Sequence, residues 1–241
     1  MTQFNNGGEV DRRNFVGLGA AVGAAMAAGS SATAATPNPQ TSSSAGSSTS
    51  AMRLPNLAPD RLTPAQRPLF DKLHAGIAEH LQGFTTQKPD GTLIGPFNAM
   101  LHFPSFGGPA WDIFLALAGG SGLPKAVREV VILATGARYG SLYELYSHEA
   151  LAPKAGLSAS KIRTLAAGER PADLTEEEAL AYDVAAVLNR GHQVPNSTYN
   201  AAAAAFGVQG VAEIAYLVGC YGLISSLLNT FDVSLPGTEL G

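Results

Sequence analysis

Residues 123–157 read LPKAVREVVILATGARYGSLYELYSHEALAPKAGL. Two helix-forming segments meet here at Gly140. The first carries Arg128 and Glu129 near its start. The second opens with Ser141, Leu142, Tyr143 and Glu144 and carries His148 one turn later. Ser141, Glu144 and His148 stand at i, i+3 and i+7, so they share one helical face. Glu129 shares its own face with Leu133 and Gly136, an apolar stripe that faces a core. A fold built on this stretch should therefore bury that carboxylate at least in part, and a buried charge needs a partner because its desolvation is costly. His148 is the nearest candidate in sequence. A Glu–His pair holds the imidazole in one tautomer and moves both groups toward neutral pKa values, which suits proton transfer. Arg128 points about 100° away from Glu129 around the same helix, toward some other element.

The remainder of the domain repeats the helical period. Thr63-Pro64 reads as a helix start, followed by Leu69, Phe70, Leu73, Ile77 and Leu81 at helical spacing. His74 and His80 fall on that helix as solvated or rim positions. Gly95-Pro96 breaks the backbone, and Pro104 ends the short helix begun at Phe97. Asn98 and His102 lie at i and i+4 on it and are candidate pocket-lining residues. Further helices are expected over 111–117, from Pro124, from Ser158, from Thr175 and over 195–206, the last ended by Gly207. A final helix over 209–231 has an apolar centre of 15 residues, 214–228. A membrane span needs ~20, so a fully buried core helix is expected, with Gly219, Gly222 and Ser225 allowing close helix approach. No segment alternates with period two, so the fold class is all-α.

The ends and the charge narrow the function. Lys and Arg number 15 against 19 Asp and Glu, a net charge of −4, which argues against nucleic acid as the main partner. One cysteine, Cys220, allows neither an internal disulfide nor a Cys-x-x-Cys redox pair. No His/Cys cluster has zinc-site spacing, so no metal site is expected. Residues 1–34 read as a twin-arginine-type export signal: Arg12-Arg13-Asn14-Phe15-Val16, a weakly apolar Ala/Gly run, then small residues at Ala32-Thr33-Ala34. The export machinery would then be a partner, and the destination the periplasm or another extracytoplasmic space. Residues 35–52 are a Ser/Thr/Pro linker, and residues 53–241 the helical domain.

Arg128-Glu129-Val130-Val131-Ile132-Leu133, then Tyr143-Glu144-x-x-x-His148-x-x-x-Ala152, then Gly156-Leu157, resemble the carboxymuconolactone decarboxylase family, which includes the AhpD-type alkylhydroperoxidases. Gly95-Pro96-Phe97-Asn98 and the final helix, with Glu213, Tyr221 and Asn229, extend the resemblance. It implies an AhpD-like all-helical domain and homo-oligomers, often trimers or hexamers. The peroxidase branch carries Cys-x-x-Cys-x-x-x-His; aligned on His148, its sulfur positions fall on Ser141 and Glu144. A thiol relay is therefore disfavoured, and the resemblance implies instead a decarboxylase-like lyase or isomerase acting on a small lactone or organic acid without a cofactor. In that reading His148 is general acid/base, Glu129 and Glu144 orient it or share its proton, Arg128 binds a substrate carboxylate, and Ser141, Asn98 and His102 complete the substrate site. Ser141-x-x-Glu144 is also a capping-box pattern. Two alternatives stand beside the lyase: a peroxide reductase, and a non-catalytic oligomeric binding protein.

Overall fold

Proline and glycine set the limits of the helices. The computed structural model describes residues 53–120 and 122–237; the segments expected to be an export signal and a linker, 1–34 and 35–52, lie outside them. Among the described residues the regular structure is helical: α1 Arg67–His80, α2 Pro96–His102, α3 Pro104–Gly119, α4 Lys125–Tyr139, α5 Leu142–Leu151, α6 Ala159–Ala166, α7 Glu176–Leu188 and α8 Asn196–Thr230. The domain is all-α, as its periodicity required.

Most boundaries follow local chemistry. Pro104 ends α2 and also opens α3 as an early helical residue, where its missing N–H costs nothing. Gly140 joins α4 to α5 in the left-handed region, at φ 60°, ψ 32°, a conformation that costs other residues steric strain. Ser158 caps α6 by accepting from the Lys161 N–H at 3.2 Å. Gly207, at φ 69°, ψ 170°, interrupts α8, so two helices meet there as expected. Two boundaries differ from expectation. Thr63–Gln66 forms a turn, and α1 proper starts at Arg67. Helix α3 begins seven residues before Trp111 and contains Pro109, and at Gly107 its backbone lies close against Met100.

Helix α4 is the centre of the domain and packs against α5, α6, α7 and α8. Its Val127, Val131 and Ile132 enter the large core, with Leu73, Phe97, Trp111, Ile214 and Leu217. Its Val130 and Leu133 face a smaller core with Leu157, Ile162 and Leu165. A helix buried on several sides leaves little surface for its polar residues, which is what forces Glu129 to find a partner inside. Helix α8 departs from the fully buried helix expected. Ile214, Leu217, Ile224 and Leu228 are buried, but Tyr216 is 64% exposed and Leu223 also faces outward. The small residues divide accordingly: Gly222 lies against the Tyr139 ring, whereas Gly219 meets nothing.

Candidate active site

Three ionisable groups, Glu144 and His148 buried and Glu129 partly so, form a line across α4 and α5. Glu129 Oε2 lies 2.9 Å from His148 Nδ1. On the other side of the ring, His148 Nε2 lies 3.6 Å from Glu144 Oε2, one helical turn away on α5. Glu144 and His148 are both buried. The close contact at Nδ1 places that ring proton on the Glu129 side, leaving Nε2 as the face turned toward Glu144.

Burial governs the electrostatics. It pushes the Glu144 carboxyl up to about 7; the His148 charge opposes this and the Glu129 charge adds to it. Burial pulls His148 down, but the charge and hydrogen bond of Glu129 and the charge of Glu144 outweigh it, despite Arg128, so its net shift is upward. A protonated imidazole beside a carboxyl group poised near neutrality can both give and accept protons.

Two spaces adjoin this line. An inner chamber of about 30 Å³ touches Glu144 and His148 and is walled largely by aromatic rings, among them Phe84, Phe97 and Trp111. An outer cleft of about 380 Å³ touches Glu129, with Lys125, Arg128 and His80 on its rim. Leu81, Phe114 and Tyr221 line both, so they form the partition between them. The chamber holds little more than a water molecule; the cleft has the size of a small-ligand site.

The other expected site residues lie elsewhere. Arg128 Nη1 donates to Glu213 Oε1 and to the Leu117 carbonyl, each at 2.8 Å. Glu213 Oε2 accepts from the Gly122 N–H at 3.0 Å. Arg128 borders the outer cleft, but its guanidinium is engaged in tying α4 to α3 and α8. Asn98 accepts from the Leu57 N–H at 3.0 Å and donates to the Pro55 carbonyl, and His102 Nε2 lies 2.8 Å from the same carbonyl. Both pin the chain's entry into the domain and neither borders the chamber. Ser141 is fully buried with an unpaired hydroxyl, lines neither space, and its side chain makes no capping bond. The capping box expected at Ser141 and Glu144 does not form: Glu144 points inward to His148. Cys220 is a buried thiol that burial, with the Glu144 charge adding, pushes up to about 12, which keeps it protonated and a poor nucleophile.

Two residues near the site were outside the expected set. Glu213 binds Arg128, and Tyr221 stands edge-on to His148, with 5.1 Å between ring centroids and 85° between planes. The signals available were an acidic residue entering an otherwise apolar helix and a hydroxyl within that helix's apolar centre.

Residues 110–187 match the sequence model of the carboxymuconolactone decarboxylase family. No curated protein matches the chain. Among solved structures, the alkylhydroperoxidase AhpD core of an uncharacterised peroxidase-related protein from Ralstonia eutropha JMP134 aligns with TM-score 0.61 and 20% identity, over 77% of this chain and 93% of that one. An uncharacterised peroxidase-related protein from Silicibacter sp. TM1040 gives 0.60 and 15%, over 80% and 95%. The debrominase Bmp8, in complex with 2,3,4-tribromopyrrole, gives 0.57 and 14%, over 76% and 90%. The described domain therefore has an AhpD-like fold, and its residues 110–187 match the sequence model of the carboxymuconolactone decarboxylase family.

Proposed function

We propose that this domain is a cofactor-independent lyase or isomerase that moves protons on a small lactone or organic acid. The observation that carries the reading is the largely buried line Glu129–His148–Glu144, with contacts of 2.9 Å and 3.6 Å. His148 is the acid/base at Nε2. Glu129 fixes the ring through Nδ1, and Glu144 shares the proton. The outer cleft admits the substrate, and its reacting end passes the Leu81–Phe114–Tyr221 partition. The protonated thiol of Cys220, and Ser141 and Glu144 at the two sulfur positions of the peroxidase branch, disfavour a thiol-based reductase. A second reading is an oligomeric binding protein that keeps the fold without the chemistry; the small volume of the inner chamber favours it.

A screen of the purified protein against small lactones and oxo acids separates the two, with CO2 release and uptake of solvent deuterium into substrate as readouts. The lyase or isomerase reading expects turnover that His148→Ala lowers by about 10²–10⁴-fold. Glu129→Gln should also lower it while the domain stays folded. Binding without turnover would leave the binding-protein reading, and turnover indifferent to His148→Ala would overturn the acid/base assignment. We further propose export through the twin-arginine signal of residues 1–34, and a symmetric homo-oligomer, a trimer or hexamer, supported by the apolar surface that α3 and α8 leave uncovered.

A further inference from the structure

A buried tyrosine hydroxyl usually finds a protein partner. Tyr143, which lines the inner chamber, does so: it donates to the Thr85 carbonyl at 2.8 Å. Tyr221 is only 6% exposed, yet among the described residues its hydroxyl bonds to no protein group. Unlike Trp111 Nε1 and Glu144 Oε2, it is not sealed inside the packing. Its ring packs edge-on against His148, and it lines both the chamber and the outer cleft. A donor is thus held beside the acid/base group, on the partition a substrate must reach, with nothing of the protein to donate to.

Resting on the proton-transfer reading above, we propose that the Tyr221 hydroxyl is a catalytic hydrogen-bond donor to a substrate carbonyl oxygen, so that the substrate reacts at a carbon conjugated to that carbonyl. In an isomerisation, the C–H bond breaks and its proton goes to the base at the His148 position. The bonding electron pair moves onto the carbonyl oxygen as an enolate, which accepts from Tyr221. The proton then returns at another carbon of the conjugated system. In a decarboxylation, the C–C bond to the carboxylate breaks instead, CO2 leaves, the same enolate forms, and protonated His148 supplies the proton. Both routes place negative charge on one oxygen, and a positioned donor there is worth about 10²–10³ in rate. Burial raises Tyr221 well above the ordinary tyrosine value, so the hydroxyl keeps its proton while donating.

The test uses the full chain and 2(5H)-furanone, a conjugated lactone whose ring C–H is acidic. Two readouts are followed: the infrared carbonyl stretch of the bound lactone, and exchange of its acidic hydrogen with solvent deuterium. The proposal expects the stretch to move to lower frequency in the parent protein and equally in His148→Ala, and to return toward the free value in Tyr221→Phe. Tyr221→Phe should lower exchange by about 10²–10³-fold with no change in melting temperature, because the ring that packs on His148 remains. A carbonyl band identical in the parent and Tyr221→Phe would overturn the assignment, as would failure of the lactone to bind at millimolar concentration. Exchange unaffected by His148→Ala, with a band shift that still needs Tyr221, would sink the acid/base assignment and leave the donor in place.

Discussion

A carboxyl group buried beside a histidine makes stability depend on pH. Glu144 is raised from 4.5 to about 7. Between those values the folded chain holds a proton that the unfolded chain has released, so stability falls as pH rises across that window. His148 is raised above 6.5; its contribution is complete below 6.5 and is lost as pH climbs through its folded value. The two act in the same direction. We expect the melting temperature to be higher at pH 5 than at pH 8, with Glu144 contributing on the order of 3 kcal/mol to the difference. Glu144→Gln should flatten most of that dependence, since the amide does not titrate. A profile equally steep in Glu144→Gln would show that another group sets it. The same variant bears on catalysis: if Glu144 shares the proton of His148, turnover falls even at the pH where stability is unchanged.

Helix ends show how one local pattern meets two fates. Thr175-x-x-Glu178 and Ser141-x-x-Glu144 have the same capping signature. At α7 it forms: Thr175 accepts from the Glu178 N–H at 3.2 Å, and Glu178 Oε2 accepts from the Thr175 N–H at 2.9 Å. Lys161 adds an ion pair to the same oxygen at 2.7 Å. At α5 neither bond exists, because the Glu144 face of the helix is turned into the domain, toward His148. Thr175→Ala should therefore cost about 1 kcal/mol, within the usual range for lost caps. Ser141→Ala should be neutral or slightly stabilising, since it removes a buried hydroxyl with no partner. Denaturant titration of the two variants checks this contrast; a loss at Ser141 as large as at Thr175 would mean that the Ser141 side chain does cap α5 in solution. The Arg128–Glu213 pair works at the same scale. Both side chains are largely buried, and the pair joins α4 to α8 next to the group that orients His148.

Across the whole domain, the unburied apolar surface is the feature that a single chain does not satisfy. Phe106 is 77% exposed, Tyr216 is 64% and Val208 is 68%. Between α2, α3 and α8 lies an apolar groove of about 410 Å³, walled by Met100, Phe103, Leu223, Leu227 and Phe231 among others. Apolar patches of this kind usually mark an interaction surface. We expect light scattering at micromolar concentration to give a closed oligomer, and Phe106→Glu with Tyr216→Lys to shift it toward monomer without unfolding the domain. A monomeric parent protein would remove the assembly proposal. For export, replacing Arg12 and Arg13 by Lys should retain uncleaved protein in the cytoplasm; unchanged export would exclude the twin-arginine route.

The sequence by itself determined what acts over a few residues. Helical period, the prolines at 96, 104 and 124, and the glycines at 140, 156 and 207 are local signals, and they set the all-α class and most element boundaries. The pairing of Glu129 with His148 was legible for the same reason: a carboxylate on an apolar stripe must be paired, and the next helix offered one imidazole. Only the tertiary structure decided which side chain stands opposite which across the packed helices. Arg128 meets Glu213, 85 residues away, so the guanidinium expected to hold substrate holds α8. Asn98 and His102 meet Pro55, 43 and 47 residues away, so the two residues expected to line a pocket anchor the chain instead. Tyr221 reaches His148 from α8, and α8 itself is buried on one side only. Periodicity gives the face of a helix, but not its neighbour; the neighbour follows from how α4 is enclosed by α5, α6, α7 and α8, and that is a property of the assembled core.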